Sequence, residues 1–243
     1  MKNTEKKVRV IKKTVIVLLT AVLCIALGTA AFYGAKGYML YRQAAEERTL
    51  DERVRDARED EDYAVYSELP EFYVNAAVSV EDHRFRKHGG IDVISIARAA
   101  WTDIKAWSFE EGGSTITQQL VKNLMFTKEK KMERKAAEAF ATLEMESKYT
   151  KDEIFELYAN IVDFGSGYKG IREASAGYFG KEPSELTDYE CAMLAGIPNL
   201  PSEYSPDVNK KLAEKRVSHV LKSMERRGMI TQEEAEEIED NNF

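Results

Sequence analysis

The chain has little of what usually braces a disulfide-rich or zinc-bound fold. Only two of its 243 residues are cysteines, and Cys24, in an apolar N-terminal run, lies far from Cys191. A disulfide between them is not expected, so the fold does not rest on a cystine framework. Three histidines are present without a second clustered set of ligands, which leaves a structural zinc site with weak support. Basic charge is not in excess: 35 Lys and Arg stand against 42 Asp and Glu, a net −7 that argues against a general nucleic-acid binder. There is no internal repeat, no low-complexity tract and no convincing strand alternation.

What is present suffices for one domain and an appendage. Hydrophobic residues make up 44% and charged residues 32%, so most of the chain can fold around a core. Thr14 to Ala35, "TVIVLLTAVLCIALGTAAFYGA", carries no charge. A helix of about 20 residues crosses the hydrocarbon core of a bilayer. Lys2, Lys6, Lys7, Arg9, Lys12 and Lys13 precede it, which places the N-terminus in the cytoplasm, and Tyr33, Tyr38 and Tyr41 follow as an interfacial belt would. The competing reading is a cleaved signal peptide, with "GTA" before Ala31 as its site, although such apolar cores are normally shorter. Either way, everything beyond about residue 36 is expected outside the cytoplasmic membrane. The expected organisation is a cytoplasmic tail (1–13), a membrane helix (14–35), a charged stalk (36–66) and a domain (67–243). The run "RQAAEERTLDERVRDAREDED" reads as a solvated helical stalk.

Beyond Ser67 the chain reads as mainly α. Thr150 with Glu153 forms a capping box ahead of Ile154, Leu157, Tyr158 and Ile161, spaced for one helix face. Thr187 with Glu190 repeats the signature, and Gly196 and Pro198 end that helix. Ala213, Val217, Val220, Leu221 and Met224 make a further stripe, stopped by Gly228, and Thr231 with Glu234 opens a last short helix. A small hairpin is allowed for but has no assigned position.

Three stretches carry candidate chemistry. "EDHRFRKHGG" follows an apolar helix face of Ala76, Ala77 and Val80, so Glu81 arrives where that helix ends. A carboxylate beside apolar surface has its charged form disfavoured and becomes a candidate general base. The plain alternative is a surface ion pair with Arg84 or Arg86. "EEGGSTITQQLVKN" places Gly112 and Gly113 before a box of Thr115 and Gln118, a helix start that suits a phosphate or is simply capped. Lys122 to Lys135 then holds six basic residues against two acidic ones. It is a solvated face, or a seat for a phosphorylated lipid at the bilayer surface. In "RKAAEAFATLEME", Met132, Ala136, Phe140 and Leu143 form one stripe and Ala137, Ala141 and Met145 another. Glu138 falls among the second group, where a carboxylate must be paired or used. Arg134 is its nearest candidate partner.

These segments, in this order, resemble the peptidoglycan glycosyltransferases of glycosyltransferase family 51. "EDHRFRKHGGID", "GGSTITQQLVKN", "RKAAE", "KDEIFELYANIVDFG" and "GIREASAGYFGK" match the family's five motifs, over roughly Glu68 to Pro206. The resemblance implies a lysozyme-like, mainly α-helical fold with a membrane-dipping apolar segment near its cleft. It implies polymerisation of lipid II, a disaccharide-pentapeptide on undecaprenyl pyrophosphate, into β-1,4-linked glycan. By motif position Glu81 is the general base and Glu138 the second acidic residue. Asp82, Phe85, Ser114, Thr115, Gln118, Gln119, Lys122, Lys130, Arg134 and Lys135 are expected to bind substrate. No cofactor is obligatory. Glu138 would assist the leaving group directly or through a divalent ion such as Mg or Mn. The partners implied are lipid II, the growing lipid-linked glycan, the cell membrane and other cell-wall synthesis proteins, with no nucleic acid. Moenomycin, which the family binds in its donor cleft, is expected to block the site. With no transpeptidase domain after the helices, the expected enzyme is the monofunctional type and makes uncrosslinked strands. A lytic muramidase on the same fold is the alternative, since paired carboxylates serve hydrolysis too.

Overall fold

The computed structural model describes residues 2–106, 113–126 and 131–240. Among them are twelve α-helices. The first six are α1 (Lys2–Glu47), α2 (Leu50–Arg58), α3 (Glu71–Glu81), α4 (Val93–Ala106), α5 (Ile116–Met125) and α6 (Met132–Lys148). The remaining six are α7 (Lys151–Ile161), α8 (Ile171–Phe179), α9 (Asp188–Gly196), α10 (Pro201–Tyr204), α11 (Lys210–Arg226) and α12 (Gln232–Asp240). The mainly α expectation holds. The hairpin allowed for is reduced, among the described residues, to one isolated antiparallel bridge between Asp163 and Lys169.

The helix starts follow local chemistry. Thr115, Thr150 and Thr187 each accept the N3 backbone N–H, while the N3 side chain reaches back to the cap, so the boxes read from sequence all form. Gly228, just past α11, has φ +68°, the left-handed conformation that ends a helix at little cost for glycine. The core lies where α3 packs on α9 and α11, and where α5 packs on α6 and α7. Tyr73, Phe155 and Tyr158 are its largest side chains, and each such burial contributes on the order of 1.5–3 kcal/mol.

The stalk reading is corrected. Helix α1 runs unbroken from the apolar segment to Glu47 and lies along α6. A Cβ at Gly37 would come within 2.4 Å of the Ala136 Cβ, so only glycine lets the two helices approach this closely. Lys36 pairs with Glu133, the Tyr41 hydroxyl donates to Glu144 at 2.7 Å, and Tyr38 packs edge-on against Phe140. Ala44, Leu50, Val54 and Ala64 join the main core. The charged run hid these few apolar positions, whose partners come from residues nearly 100 positions away. The same packing explains α6. Ala137, Ala141 and Met145 are fully buried, and α1 covers Ala136 and Phe140, whereas Met132 and Leu143 of the expected stripe stay exposed.

Between Ile11 and Glu47 the chain has a helix long and apolar enough to cross a membrane, with a mean hydropathy of 2.6 in its most apolar window. Leu18, Leu19 and Ile25 there are about two-thirds exposed. Deleting residues 1–35 is expected to keep Lys36–Glu47 docked, leaving the melting temperature nearly unchanged. Deleting 1–47 uncovers Phe140 and removes the Tyr41 bond. At about 2–4 °C per kcal/mol for a domain of this size, the loss should reach about 5 °C or more. Calorimetry on the two truncations checks this. Equal melting temperatures would show that the α1–α6 contact contributes nothing.

Candidate active site

Helix α3 ends on Glu81 because Asp82 leaves helical geometry, with φ −159° and ψ 73°. Buried residues on either side of α3 fix its direction, and Ser223 of α11 donates to the Ser79 carbonyl at 2.8 Å. The Glu81 side chain is only 7% exposed, yet it lines a cleft of about 810 Å³. Gln119 of α5 donates to Oε2 at 2.6 Å, while Oε1 has no hydrogen-bond partner among the described residues. Burial pushes the carboxyl up, against the opposing pull of the Gln119 hydrogen bond and the Arg216 and Lys122 charges. The surface-pair alternative does not occur: Arg84 binds Asp92 at 2.9 Å and Arg86 binds Asp152 at 2.8 Å.

A polar network holds the turn after Glu81. The His88 ring accepts the Gly90 N–H on Nδ1, so Nε2 carries the proton and donates to Asp82 at 3.0 Å. Asp82 also accepts the Ile116 N–H, which ties this turn to the start of α5. Gly90, with φ +86°, has no room for a side chain, since a Cβ would meet Thr142 at 2.4 Å. Asp92 caps α4. Burial would raise its pKa, but bonds from Ser95 and the Arg84 charge prevail and hold it at about 2. Asp82, His88 and Asp92 lie close enough to suggest a metal site. Their ligand atoms are already engaged with His88, Ile116, Gly90, Ser95 and Arg84, so the cluster is structural.

The basic stretch is brought to the same region. Glu138, 1% exposed, is paired with Arg134 and, at 3.0 Å, with Lys135. Lys135 also donates to Ser114 Oγ at 2.9 Å. Burial pulls the half-buried Lys122 ammonium down, and Lys135 and Arg134 act in the same direction while Glu138 opposes them. Lys122 acts on Glu81 as well, so one field joins the candidate base to the cations. Around Glu138 the described charges are otherwise cationic, a donor set that does not fit a divalent ion.

The structure therefore brings together Glu81, Asp82, Ser114, Gln119, Lys122, Arg134, Lys135 and Glu138. Two expected substrate contacts are corrected. Phe85 is 1% exposed and packs on Phe155, because the loop turns its ring into the core. Gln118 is buried, with its oxygen accepting the Thr115 N–H. Thr115 lines the cleft but spends its hydroxyl on the Gly90 carbonyl at 2.6 Å. Lys130 lies outside the described residues. The sequence reading missed the opposite wall, formed by Arg216, His219, Ser223 and Arg227. Arg216, His219 and Ser223, spaced by three and four, mark one polar face of α11 beside the apolar stripe, and Arg227 caps its end; that periodicity was the available signal.

A sequence profile described as "Transglycosylase" matches residues 46–225, about three-quarters of the chain. This chain belongs to the transglycosylase family. Penicillin-binding protein 2D of Bacillus subtilis is 46% identical over 165 residues, 68% of this chain and 24% of that protein. Penicillin-binding protein 1A of Aquifex aeolicus is 43% identical over 175 residues, 72% of this chain and 24% of that protein. The chain thus spans about a quarter of the length of these curated relatives. A crystal structure of penicillin-binding protein 1A from Haemophilus influenzae aligns over 74% of this chain and 17% of that one. The TM-score of that alignment is 0.45 and the identity 21%. The family match begins at Glu46, in keeping with the packing of residues 44–64 into the core.

Proposed function

We propose that this chain polymerises lipid II into peptidoglycan glycan at the outer face of the cytoplasmic membrane. The observation that carries this reading is a buried carboxylate with one unengaged oxygen, Glu81, beside a group of cations, Lys122, Arg134 and Lys135. A sugar hydroxyl is a poor nucleophile. Glu81 accepts its proton through Oε1 as the oxygen attacks the anomeric carbon of the donor. The bond from that carbon to the pyrophosphate breaks, and its electron pair goes to the leaving phosphate oxygen. Lys122, Arg134 and Lys135 stabilise that developing charge in a partly desolvated site. Direct displacement inverts the α-linked donor to a β-1,4 bond.

In this scheme Ser114 and Gln119 line the donor side, with Gln119 also orienting Glu81. Asp82, Thr115 and Gln118 hold the turn and the α5 start in place. Glu138 acts as the fixed anion that aligns Arg134 and Lys135. Lys130, by its motif position, extends the phosphate seat. The apolar part of α1 spans the bilayer with its basic flank in the cytoplasm.

The test is to offer the purified full chain, in liposomes, lipid II in one reaction and preformed glycan in another. Lipid II should yield polymer and free undecaprenyl pyrophosphate. Fragments from preformed glycan, with lipid II untouched, would replace this reading with the muramidase.

A further inference from the structure

The two oxygens of Glu81 have unlike surroundings. Oε2 is held by Gln119, whereas Oε1 is buried without a hydrogen bond. The cation of the opposite wall that approaches Oε1 is Arg216 of α11, whose Nη2 lies 3.9 Å away. That distance is too long for a hydrogen bond and short enough for a strong charge interaction. The guanidinium is fixed there from two sides. Its Nε donates to the Gly196 carbonyl at 3.1 Å, and its plane lies over the Tyr204 ring at 5.3 Å. Gly196 itself must stay small, because a Cβ would meet the Arg216 Cγ at 2.7 Å. Moving the arginine in to bond Oε1 would forfeit both anchors.

We infer that Arg216 is a positioning residue for the transfer step: it keeps Glu81 ionised while leaving Oε1 open to the incoming sugar hydroxyl. This inference rests on the reading of Glu81 as general base. The other groups facing Glu81 are Lys122 from α5, the adjacent Asp82, and the buried phenols of Tyr73 on α3 and Tyr158 on α7. Asp82 opposes ionisation, the phenols are neutral at working pH, and burial opposes it most. Gln119, Arg216 and Lys122 therefore supply the counterweight. Of the two cations, Lys122 also interacts with Glu138, Lys135 and Arg134, whereas Arg216 is the one that reaches Oε1 directly, at 3.9 Å, among the described residues. Once Oε1 takes the hydroxyl proton, the same guanidinium disfavours its staying, which resets the base for the next sugar.

The experiment is the pH profile of kcat/KM for lipid II with the full chain in detergent. It compares the parent, Arg216→Gln, Arg216→Lys and Glu81→Gln, all below their measured melting temperatures. Removing the cation raises the Glu81 pKa. The acid limb of Arg216→Gln should therefore move up by about 1–3 units, the range for a neighbouring charge. Activity should fall about tenfold or more on that limb and recover toward the parent level at alkaline pH. Arg216→Lys keeps a charge, and its limb should stay close to the parent's. Arg216→Gln with an unshifted limb, whether its activity is unchanged, lowered equally at every pH or altered in KM alone, overturns the inference. Activity in Glu81→Gln would instead overturn the underlying reading of the base, so the two failures are distinguishable.

Discussion

Glu81→Gln is expected to lower lipid II polymerisation by about 10²–10⁴-fold, the usual cost of a lost general base. The substitution keeps the shape, and its amide oxygen can still accept from Gln119, which now donates to Oε2. What disappears is the charge that takes the hydroxyl proton. Stability should move the other way or not at all. Glu81 is buried with one oxygen unpartnered, so its ionised form is costly to hold in the fold. A neutral side chain removes that penalty, and the melting temperature should be equal to or above the parent's. Turnover assays and thermal melts on one preparation give both numbers. Near-parental turnover by the folded variant would remove Glu81 from the mechanism.

The second large effect separates two cations that the sequence presents as equivalent. Lys122→Ala is expected to impair use of the pyrophosphate-linked donor by at least about tenfold with little change in melting. Its charge is partly desolvated by burial, a setting that natively disfavours it, so its loss costs the fold little. Arg134→Ala should impair the donor similarly and also destabilise the domain. Among the described residues Arg134 is one of two ion-pair partners of the 1%-exposed Glu138, and breaking such a buried pair typically costs about 3–5 kcal/mol. Lys135 remains at 3.0 Å, which places the expected loss at the lower end, about 3 kcal/mol. Donor kinetics and calorimetry on both variants check the contrast. A purely thermal effect in either would make that residue structural.

Much of this was legible because it is local. Capping boxes span four residues, so Thr115, Thr150 and Thr187 announce their helices before any tertiary contact exists. Glu81 was legible as a carboxylate delivered by an apolar helix face, and its loop and cations were legible as motifs. What stayed hidden depends on distant partners. Nothing near Tyr41 in sequence shows that it will meet Glu144, or that Gly37 will lie against Ala136, so an amphipathic seam passed for a solvated stalk. Phe85 and Gln118 share a motif with residues that face the cleft, but membership of a motif does not tell which way a side chain points. Arg216 reads as one more charge on a basic helix until Gly196, Tyr204 and Glu81 are placed around it.

The central claim is a single displacement in which Glu81 activates the attacking hydroxyl and the lipid pyrophosphate leaves directly. The anomeric configuration of the first bond formed tests it most directly. Lipid II with a labelled anomeric carbon in its α-linked sugar, turned over by the purified chain and read by NMR, should give a β linkage in the product. An α linkage would mean a double displacement through a covalent intermediate, and it would contradict the assignment of Glu81 as the base of a one-step transfer.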